Sequence, residues 1–432
     1  MKIKIIESTM VKPSKPAPSK ILWNSNLDLL FSLPVLSAYF YKPTIITNNF
    51  FDTRIMKEAL SNVLVSFYPM AGRLIWGKGN NGQGKRIETN CNGEGILFVE
   101  AQSDDTCIDD FGDFAPSLEM KKLIPSVDTS ADDISSFPLF FCQVTRFKCG
   151  GVCLGCGISH ILADGVSGIH FINAWSEIAR GLSISVPPLI DRSLVRARDP
   201  PMPAFEHVEY HPLQTLNKVP EYSITAMLKI TSDQLTLLRT RSEHKGSTFE
   251  VLAAHIWRCM CKARGLDDDQ LTKLKINTDG RPRLVPPLPK EYLGNFVFTA
   301  LPMAKSGELQ SEPLAKTARR IHDVIARMND EYLRSAIDYL ELNSSHLSES
   351  ILWPPFPSPH LRINSWIKMP VYDADFGWGK PIHMGPARPM NGGKNEGSIF
   401  ILPSPNDDKN LKLLMCLDSY HMPLFQKYLY DF

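Results

Sequence analysis

The sequence predicts two lobes of similar size, each a mixture of α-helices and β-strands. The chain has 432 residues, more than the roughly 100–200 residues that one domain usually holds. Strand and helix patterns intermix in both halves without a strict alternation. Between the halves, residues 186–220 carry a dense run of prolines, which exclude helix and central strand. We therefore expect lobes at 1–185 and 221–432, joined by a crossover linker at 186–220.

Composition and charge exclude several classes of protein. Hydrophobic residues make up 43% of the chain and charged residues 22%, as in globular proteins. The net charge of +1 argues against a protein that coats nucleic acid. The N-terminus has no secretory signal pattern, and no apolar stretch reaches the roughly 18 residues of a membrane span. The odd count of nine cysteines in a long chain indicates reduced thiols, so we expect a cytoplasmic protein.

The first half contains strand patterns and two amphipathic helices. Aromatic and β-branched residues over 35–41 (VLSAYFY) predict a strand. Helical spacing over 51–64, with Asp52 as N-cap, predicts a helix, and residues 167–180 predict a second that ends at Gly181. Apolar runs predict further strands at 95–100, 139–147 and 151–158.

The second half repeats this mixture. Helical spacing covers 232–243 and 247–264, and one long helix is predicted over 311–342, before the proline-rich stretch 353–359. Strands are predicted at 223–230, 273–279, 295–303, 363–369, 398–403 and 411–417.

A histidine follows the buried strand predicted over 151–158. Residues 160–165 read HILADG, so Asp164 comes four positions after His160 and a glycine follows. A histidine on such a loop can face a cleft, and its ordinary pKa of about 6.5 suits proton transfer at neutral pH. The pattern alone more often belongs to a core histidine whose hydrogen bonds are satisfied.

Other chemistries fit this segment less well. Ser159 is adjacent to His160, and adjacent strand residues point to opposite faces, so a serine–histidine pair is not expected here. A metal site at His160 needs a third ligand that the sequence does not locate. Cys149, Cys153 and Cys156 lack the paired Cys-x-x-Cys spacing of a zinc site, so no metal is expected.

A second motif stands near the other end of the chain, where residues 375–379 read DFGWG. The aspartate and the two glycines, Asp375, Gly377 and Gly379, predict a tight turn that only small residues tolerate. Asp-Phe-Gly also occurs in protein kinases. The chain has neither a glycine-rich loop before a strand lysine nor a His-Arg-Asp loop, which excludes a kinase.

Together, His-x-x-x-Asp-Gly and Asp-Phe-Gly-Trp-Gly resemble the two signature motifs of the plant BAHD acyltransferase family. Segments throughout the chain are similar to that family, among them LWNSNLDLL (22–30), FYPMAGRL (67–74) and HFINAWSEIARGL (170–182). The pattern is most similar to the branch of hydroxycinnamoyl-CoA shikimate/quinate hydroxycinnamoyltransferases and rosmarinic acid synthases. The resemblance implies lobes of the chloramphenicol acetyltransferase-like type, with the active site in a channel between them.

The resemblance also implies a reaction. A hydroxycinnamoyl group, p-coumaroyl or caffeoyl, would pass from its coenzyme A thioester to an acceptor hydroxyl or amine. His160 would be the general base, in a ternary complex without an acyl-enzyme. Asp164 would point away from the reacting atoms and pair with Arg281, and the loop 375–379 would be structural.

Acyl-coenzyme A would be a co-substrate, so no permanently bound cofactor is expected, and the family likeness suggests a monomer. The resemblance places coenzyme A on the second lobe. Ser247 and Thr248 begin a predicted helix there, and a helix N-terminus favours phosphate.

The acyl and acceptor groups are expected near two strands. Ser37 and Tyr39 alternate on a strand that lines this pocket in the resembled branch. Asn364 and Trp366 alternate on a later strand and can donate hydrogen bonds to an oxyanion or to the acceptor. Trp366 also fits a plain core position.

The main departure from the branch follows the long predicted helix. Enzymes of the branch that act on shikimate or quinate carry an arginine that falls near Ile351 or Leu352 here. A buried carboxylate without a bidentate partner is costly. We therefore expect a hydroxy acid other than shikimate, with Lys368, Arg388 or Lys394 as the replacement cation. A different acyl-CoA donor, or a catalytically idle homologue, is the alternative.

Overall fold

The computed structural model describes residues 1–16, 18–31, 33–43, 49–77, 86–127, 133–211, 222–243, 245–344, 358–390, 395–406 and 408–431. Within these residues the chain forms two large β-sheets with helices packed on them, and each sheet contributes to its own large apolar core. The predicted mixed α/β architecture in two lobes is confirmed. No helix in the described part of the chain is long and apolar enough to cross a membrane.

The described strands of the first half are β1 (Lys4–Val11), β2 (Ile21–Trp23), β3 (Val35–Tyr41), β4 (Arg73–Trp76), β5 (Ile87–Asn90), β6 (Ile96–Ser103), β7 (Phe140–Phe147) and β8 (Val152–Ile158). Five of them form a sheet in the order β1-β6-β7-β8-β3. In it β6 and β7 run parallel and the other pairs antiparallel. The strands β2, β5 and β4 form a small separate sheet.

The described strands of the second half are β9 (Ser223–Ile230), β10 (Leu271–Asp279), β11 (Val297–Ala300), β12 (Met303–Lys305), β13 (Leu361–Ser365), β14 (His383–Pro386), β15 (Ser398–Pro403) and β16 (Leu411–Asp418). The second sheet has the order β11-β10-β13-β15-β16-β9, with β12 beside β10. The neighbours β10, β13 and β15 run parallel.

The described helices are α1 (Asn26–Leu29), α2 (Thr53–Ser66), α3 (Leu118–Lys121), α4 (Gly165–Ala179), α5 (Ser232–Ser242), α6 (Thr248–Arg264), α7 (Ser306–Ser311), α8 (Leu314–Arg327), α9 (Asp330–Leu342) and α10 (Met422–Leu429). The two central helices bury a tryptophan each: Trp175 of α4 in the first core and Trp257 of α6 in the second. Both helices lie where their apolar spacing predicts them.

Two predictions in the second half are wrong. The single helix expected over 311–342 is interrupted, because the Asn329 side chain accepts a hydrogen bond from Tyr332 N at 3.0 Å and so begins α9 anew. The single strand expected over 295–303 is divided into β11 and β12, which pair with different parts of β10. Pro302, which has no N–H, lies between them.

The strand β14 crosses from the second half into the first sheet. It pairs antiparallel with β3, with His383 opposite Phe40 and Pro386 opposite Ser37. The motif loop 375–379 goes with it, since Phe376 is buried in the first core. The expectation that this loop belongs to the second lobe is therefore corrected: its packing partners are N-terminal.

Candidate active site

A cavity of about 2330 Å³ lies between the two lobes. One side is formed by His160 and the start of α4, and the other includes side chains of β10, β13 and β15. Small-molecule pockets usually measure about 300–1,000 Å³. The cavity therefore has room for two substrates at once.

His160 lines this cavity, two residues after β8. Its ring stacks on Phe31, with the centroids 4.3 Å apart and the planes 15° apart. Its Nδ1 lies 3.0 Å from Oδ1 of Asn295. Its Nε2 has no hydrogen-bond partner within the described ranges.

The amide of Asn295 is held in one orientation. Its Nδ2 donates to the carbonyl of His160 at 2.6 Å and to Oδ1 of Asp28 at 3.0 Å. Its backbone N–H donates to the same Asp28 oxygen at 2.8 Å. Because both donors of the side-chain amide are used, Oδ1 is an acceptor and Nδ1 of His160 carries the proton. The unprotonated nitrogen of the ring is then Nε2.

The Asp28 carboxylate that holds Asn295 is itself part of a buried ion pair with Arg192. Asp28 is fully buried in α1, where its Oδ2 accepts hydrogen bonds from the backbone N and the Oγ of Ser25. Nη1 of Arg192 lies 3.3 Å from the same oxygen. The sequence patterns do not single out Asp28 or Asn295; the available signal is an acidic residue inside the apolar run LDLL at 27–30.

The electrostatic surroundings keep His160 neutral. Burial lowers the pKa of His160 below its ordinary value. A hydrogen bond of the ring with its own backbone, the Asp164 charge, the Asn295 hydrogen bond and the Asp28 charge oppose this without cancelling it. A neutral imidazole with an unoccupied Nε2 can accept a proton at pH 7.

The carboxylate of Asp164 forms the expected pair with Arg281. The two contacts are 2.8 Å (Nη1 to Oδ2) and 3.1 Å (Nη2 to Oδ1). The backbone N–H groups of Ser167 and Phe296 each donate to it at 3.0 Å. Burial alone would raise the pKa of Asp164, but the Arg281 charge and these hydrogen bonds hold that pKa below its usual value. The ion pair thus ties the start of α4 to the second lobe.

The loop 375–379 is held in a tight turn by hydrogen bonds to the side chain of its own Asp375. Oδ1 of Asp375 accepts hydrogen bonds from Gly377 N at 2.8 Å and Gly379 N at 3.0 Å. Both glycines have φ near +100°, a conformation that other residues rarely adopt. Phe376 packs edge-on against Trp175, with ring centroids 5.0 Å apart. Asp375 borders the cavity, and the loop is anchored in the first core.

No serine or cysteine nucleophile is paired with His160 in the described structure. Ser159 is buried, and its side chain makes no hydrogen bond to the His160 ring. Cys153 and Cys156 lie in different cores, and burial raises the pKa of both thiols. Among the described residues, no three His, Cys, Asp or Glu side chains are grouped as a metal site.

Ser37 and Tyr39 do not reach the cavity, contrary to the expectation for β3. Tyr39 is 1% exposed and packs in the first core, and Ser37 is also buried. The strand contributes Val35 and Leu36 to the cavity wall instead. The reason is that only the beginning of β3 borders the cavity, while Tyr39 packs among the apolar side chains of the first core.

Asn364 and Trp366 both line the cavity. Oδ1 of Asn364 accepts a hydrogen bond from Asn277 Nδ2 at 2.5 Å, which leaves its own Nδ2 as a donor. Trp366 is only partly buried and packs edge-on against Phe400, with centroids 5.7 Å apart. It is therefore not a plain core residue.

Comparison with known proteins agrees with this geometry. The whole chain, residues 1–432, matches the sequence profile of the Transferase family. The chain belongs to this family, the plant BAHD acyltransferases. It is 51% identical to a shikimate O-hydroxycinnamoyltransferase of Nicotiana tabacum and 46% identical to a hydroxycinnamoyl-CoA:5-hydroxyanthranilate N-hydroxycinnamoyltransferase of Avena sativa. Each match covers 100% of both chains.

Solved structures share the fold of this BAHD acyltransferase. Vinorine synthase superimposes with a TM-score of 0.75 at 21% identity, over 98% of this chain and 96% of that one. The TRI101 protein of F. sporotrichioides, solved with coenzyme A and T-2, has a TM-score of 0.74 at 18% identity, over 93% and 96% of the chains. The two-lobed fold predicted from the sequence is thereby confirmed.

In this acyltransferase Ser247 and Thr248 lie at the cavity wall, where α6 begins. Ser247 is engaged locally: its Oγ accepts from Glu250 N at 3.3 Å, and its N–H donates to Oε2 of Glu250 at 2.9 Å. The Glu250 carboxylate therefore already occupies the positive end of the helix. The cations that line the same cavity include Arg239, Arg283 and Lys290.

Of the three replacement cations expected from the sequence, two lie at the cavity and one lies outside the described residues. Lys368 and Arg388 line the cavity, and Nη2 of Arg388 donates to the carbonyl of Pro34 at 2.9 Å. Lys394 lies outside the described residues, as do Ile351 and Leu352.

Proposed function

We propose that this chain transfers a hydroxycinnamoyl group, p-coumaroyl or caffeoyl, from its coenzyme A thioester to a hydroxyl or amine of a small acid. The observation that carries the proposal is the fixed tautomer of His160, whose Nε2 is unprotonated beside a cavity shared by both lobes. The relatives support the donor, because the Nicotiana and Avena enzymes are both named hydroxycinnamoyltransferases.

His160 would act on the acceptor. Nε2 accepts the proton of the acceptor O–H or N–H while that atom attacks the thioester carbonyl, and the ring then carries the charge. Collapse of the tetrahedral intermediate breaks the carbon–sulfur bond, and the proton moves from Nε2 to the leaving thiolate. A general base of this kind typically contributes about 10²–10⁴-fold to the rate. The described site offers no serine or thiol paired with His160, which supports direct transfer in a ternary complex.

Two side chains would stabilise the oxyanion or orient the acceptor. Asn364 has its Nδ2 available because its Oδ1 is bonded to Asn277. Trp366 contributes an indole N–H from the same wall. A donor aimed at the developing charge strengthens in the transition state.

The remaining residues would hold the site and the co-substrate. Asp164 and Arg281 fix the loop that carries His160, and Asp375 with its two glycines fixes the rim of the cavity. Thr248, together with Arg239, Arg283 and Lys290 of the cavity wall, would receive the coenzyme A phosphates. We assign Ser247 a capping role rather than a phosphate contact. A monomer acting in the cytosol completes the proposal.

The acceptor is proposed to be an acid other than shikimate. The relatives named above act on shikimate and on 5-hydroxyanthranilate, which both carry a carboxylate. The arginine that the shikimate and quinate enzymes of the branch use falls near Ile351 or Leu352 here, and neither side chain has a charge.

An end-point assay tests this function. Purified protein is incubated with p-coumaroyl-CoA or caffeoyl-CoA and one acceptor from a panel of shikimate, quinate, malate, 4-hydroxyphenyllactate and 5-hydroxyanthranilate. Products are identified by mass spectrometry, beside a His160→Ala control. A conjugate that forms with one acceptor and disappears in the control is the expected result. Preferred and efficient turnover of shikimate would refute the acceptor assignment, and no use of either donor would refute the donor assignment.

A further inference from the structure

Two cations stand side by side on the sheet that faces the cavity. Lys275 of β10 and Arg362 of β13 are register partners on neighbouring parallel strands. The strand neighbours of both residues, such as Ile276 and Ile363, are buried in the core of the second lobe. Because side chains alternate along a strand, Lys275 and Arg362 project from the opposite face. Arg362 is among the residues that line the cavity.

The pair lies two strand positions before Asn364, which is proposed to stabilise the oxyanion or to orient the acceptor. On the same face, two positions further along each strand, come Asn277 and Asn364, which are hydrogen-bonded to each other. The end of β10 then leads to Asp279, which contacts Arg281. Two strand residues span roughly 7 Å.

The local electrostatics favour an anion between these side chains. Arg362 is 3% exposed, and Lys275 is mostly buried. Burial, together with the Arg362 charge, lowers the pKa of Lys275 to about 7, and burial lowers the pKa of Arg362 to about 9. Lys275 forms no ion pair with a carboxylate in the described part of the chain. Two neighbouring buried cations are stabilised by a bound anion.

We propose that Lys275 and Arg362 form the subsite that binds the carboxylate of the acyl acceptor. This inference rests on the proposed function and identifies the cation pair that replaces the missing arginine. The other walls of the subsite suit a ring: Phe400 is the register partner of Asn364, and Trp366 packs against it. The acceptor class that fits is a cyclic or aromatic acid whose hydroxyl or amine points toward His160.

The test compares acids with their neutral esters. Initial rates are measured with saturating p-coumaroyl-CoA for 5-hydroxyanthranilate, 4-hydroxyphenyllactate and the methyl ester of each. The variants are Lys275→Met and Arg362→Gln, beside the charge-conserving Lys275→Arg and Arg362→Lys. Lys380→Gln, which removes an exposed cation elsewhere on the cavity wall, is the matched control.

In the wild-type protein the acid should have the lower KM of each acid and ester pair. Lys275→Met and Arg362→Gln should each raise the KM of the preferred acid roughly 10- to 100-fold, the range of a lost charge-assisted hydrogen bond. The KM values of the ester and of p-coumaroyl-CoA should stay unchanged. The charge-conserving variants should retain part of the affinity, and Lys380→Gln should match the wild type.

Three results would overturn the assignment. They are an unchanged KM for the acid in both variants, a change in the KM of p-coumaroyl-CoA instead, or an equal loss in an Arg388→Gln variant. Each of them leaves the acyl transfer itself intact.

If the wild-type protein transfers nothing to any acceptor, the proposed function fails but the subsite remains testable. Isothermal titration calorimetry with 5-hydroxyanthranilate and 4-hydroxyphenyllactate then measures binding directly. Binding that is lost in both neutral variants supports the subsite. Equal binding by the variants and the wild type, or no binding of either acid, overturns it.

Discussion

Nδ1 of His160 lies 3.0 Å from Oδ1 of Asn295, so a neutral amide holds the candidate base. A carboxylate in that place would raise the pKa of the ring and stabilise the imidazolium. Here the nearest carboxylate in the chain of contacts, Asp28, bonds to the amide and not to the ring. The amide therefore sets the tautomer of His160, and burial keeps the ring neutral.

Removal of this amide should reduce turnover more than binding. In Asn295→Ala the ring of His160 loses the acceptor that fixes its proton on Nδ1, so kcat should fall by about 10- to 100-fold. The KM values of acyl-CoA and acceptor should change less than threefold, because the amide does not line the cavity. Steady-state kinetics check this, with Asn173→Ala at the cavity wall as the matched control. Unchanged kcat would contradict the positioning role.

The pH dependence of kcat/KM should report the lowered pKa of His160. The base must be unprotonated, so activity should be lost as the pH falls through the pKa of the folded protein. Since burial lowers that pKa, the midpoint of the acid limb should lie below the ordinary value of 6.5. Rates measured from pH 4.5 to 8 with the methyl ester acceptor avoid titration of the acceptor carboxylate. A midpoint at or above 6.5 would contradict the electrostatic argument.

Asp164→Asn should damage folding more than proton transfer. The substitution removes the buried charge partner of Arg281 and leaves the guanidinium only its contact with the more exposed Asp279. Breaking a buried ion pair costs about 3–5 kcal/mol in proteins. The melting temperature should fall by several degrees, while kcat per folded molecule at low temperature should fall less than in His160→Ala. Thermal unfolding measures the first effect and initial rates at low temperature measure the second, with the exposed Asp269→Asn as control. A variant with wild-type stability and no activity would assign Asp164 a direct role.

Local patterns predict much of this fold because they depend on neighbouring residues. The strands β3 and β9 lie where alternation and β-branching place them, and α4 follows its apolar spacing. The predicted contact between Asp164 and Arg281 is present, but it rested on the family likeness and not on spacing. The interruption at Asn329 was readable in principle, since asparagine is a strong N-cap.

The parts that sequence patterns missed depend on partners far away in the chain. Asn295 becomes important only because α1 brings Asp28 to it. Ser37 and Tyr39 were assigned to the cavity, but both are buried, and Tyr39 packs in a core whose other members come from distant segments such as α2 and α4. The sequence pattern shows only that Lys275 lies on one face of a strand. The pairing of that strand with β13 is needed to show that Arg362 stands next to it. No local rule encodes such pairings.

Lys275→Met should stabilise the protein in the absence of acceptor, and the gain should depend on pH. An ordinary lysine has a pKa near 10.5, whereas burial and the Arg362 charge lower the pKa of Lys275 to about 7 in the folded protein. The folded state therefore disfavours the charged form. The cost to stability is complete below pH 7, decreases as the pH rises, and disappears near pH 10.5.

The melting temperature of Lys275→Met should exceed that of the wild type at pH 6.5, and the difference should shrink by pH 9.5. Thermal unfolding at both pH values checks this. Lys273→Met is the matched control, because Lys273 is on the same strand but pairs in register with Met303 and not with Arg362. Addition of 5-hydroxyanthranilate should raise the melting temperature of the wild type and not that of Lys275→Met, since an anion that binds the folded state stabilises it. A Lys275→Met protein that is less stable than the wild type at pH 6.5 would mean that the ammonium already has a compensating partner, and the cation pair would then have no need of an acceptor carboxylate.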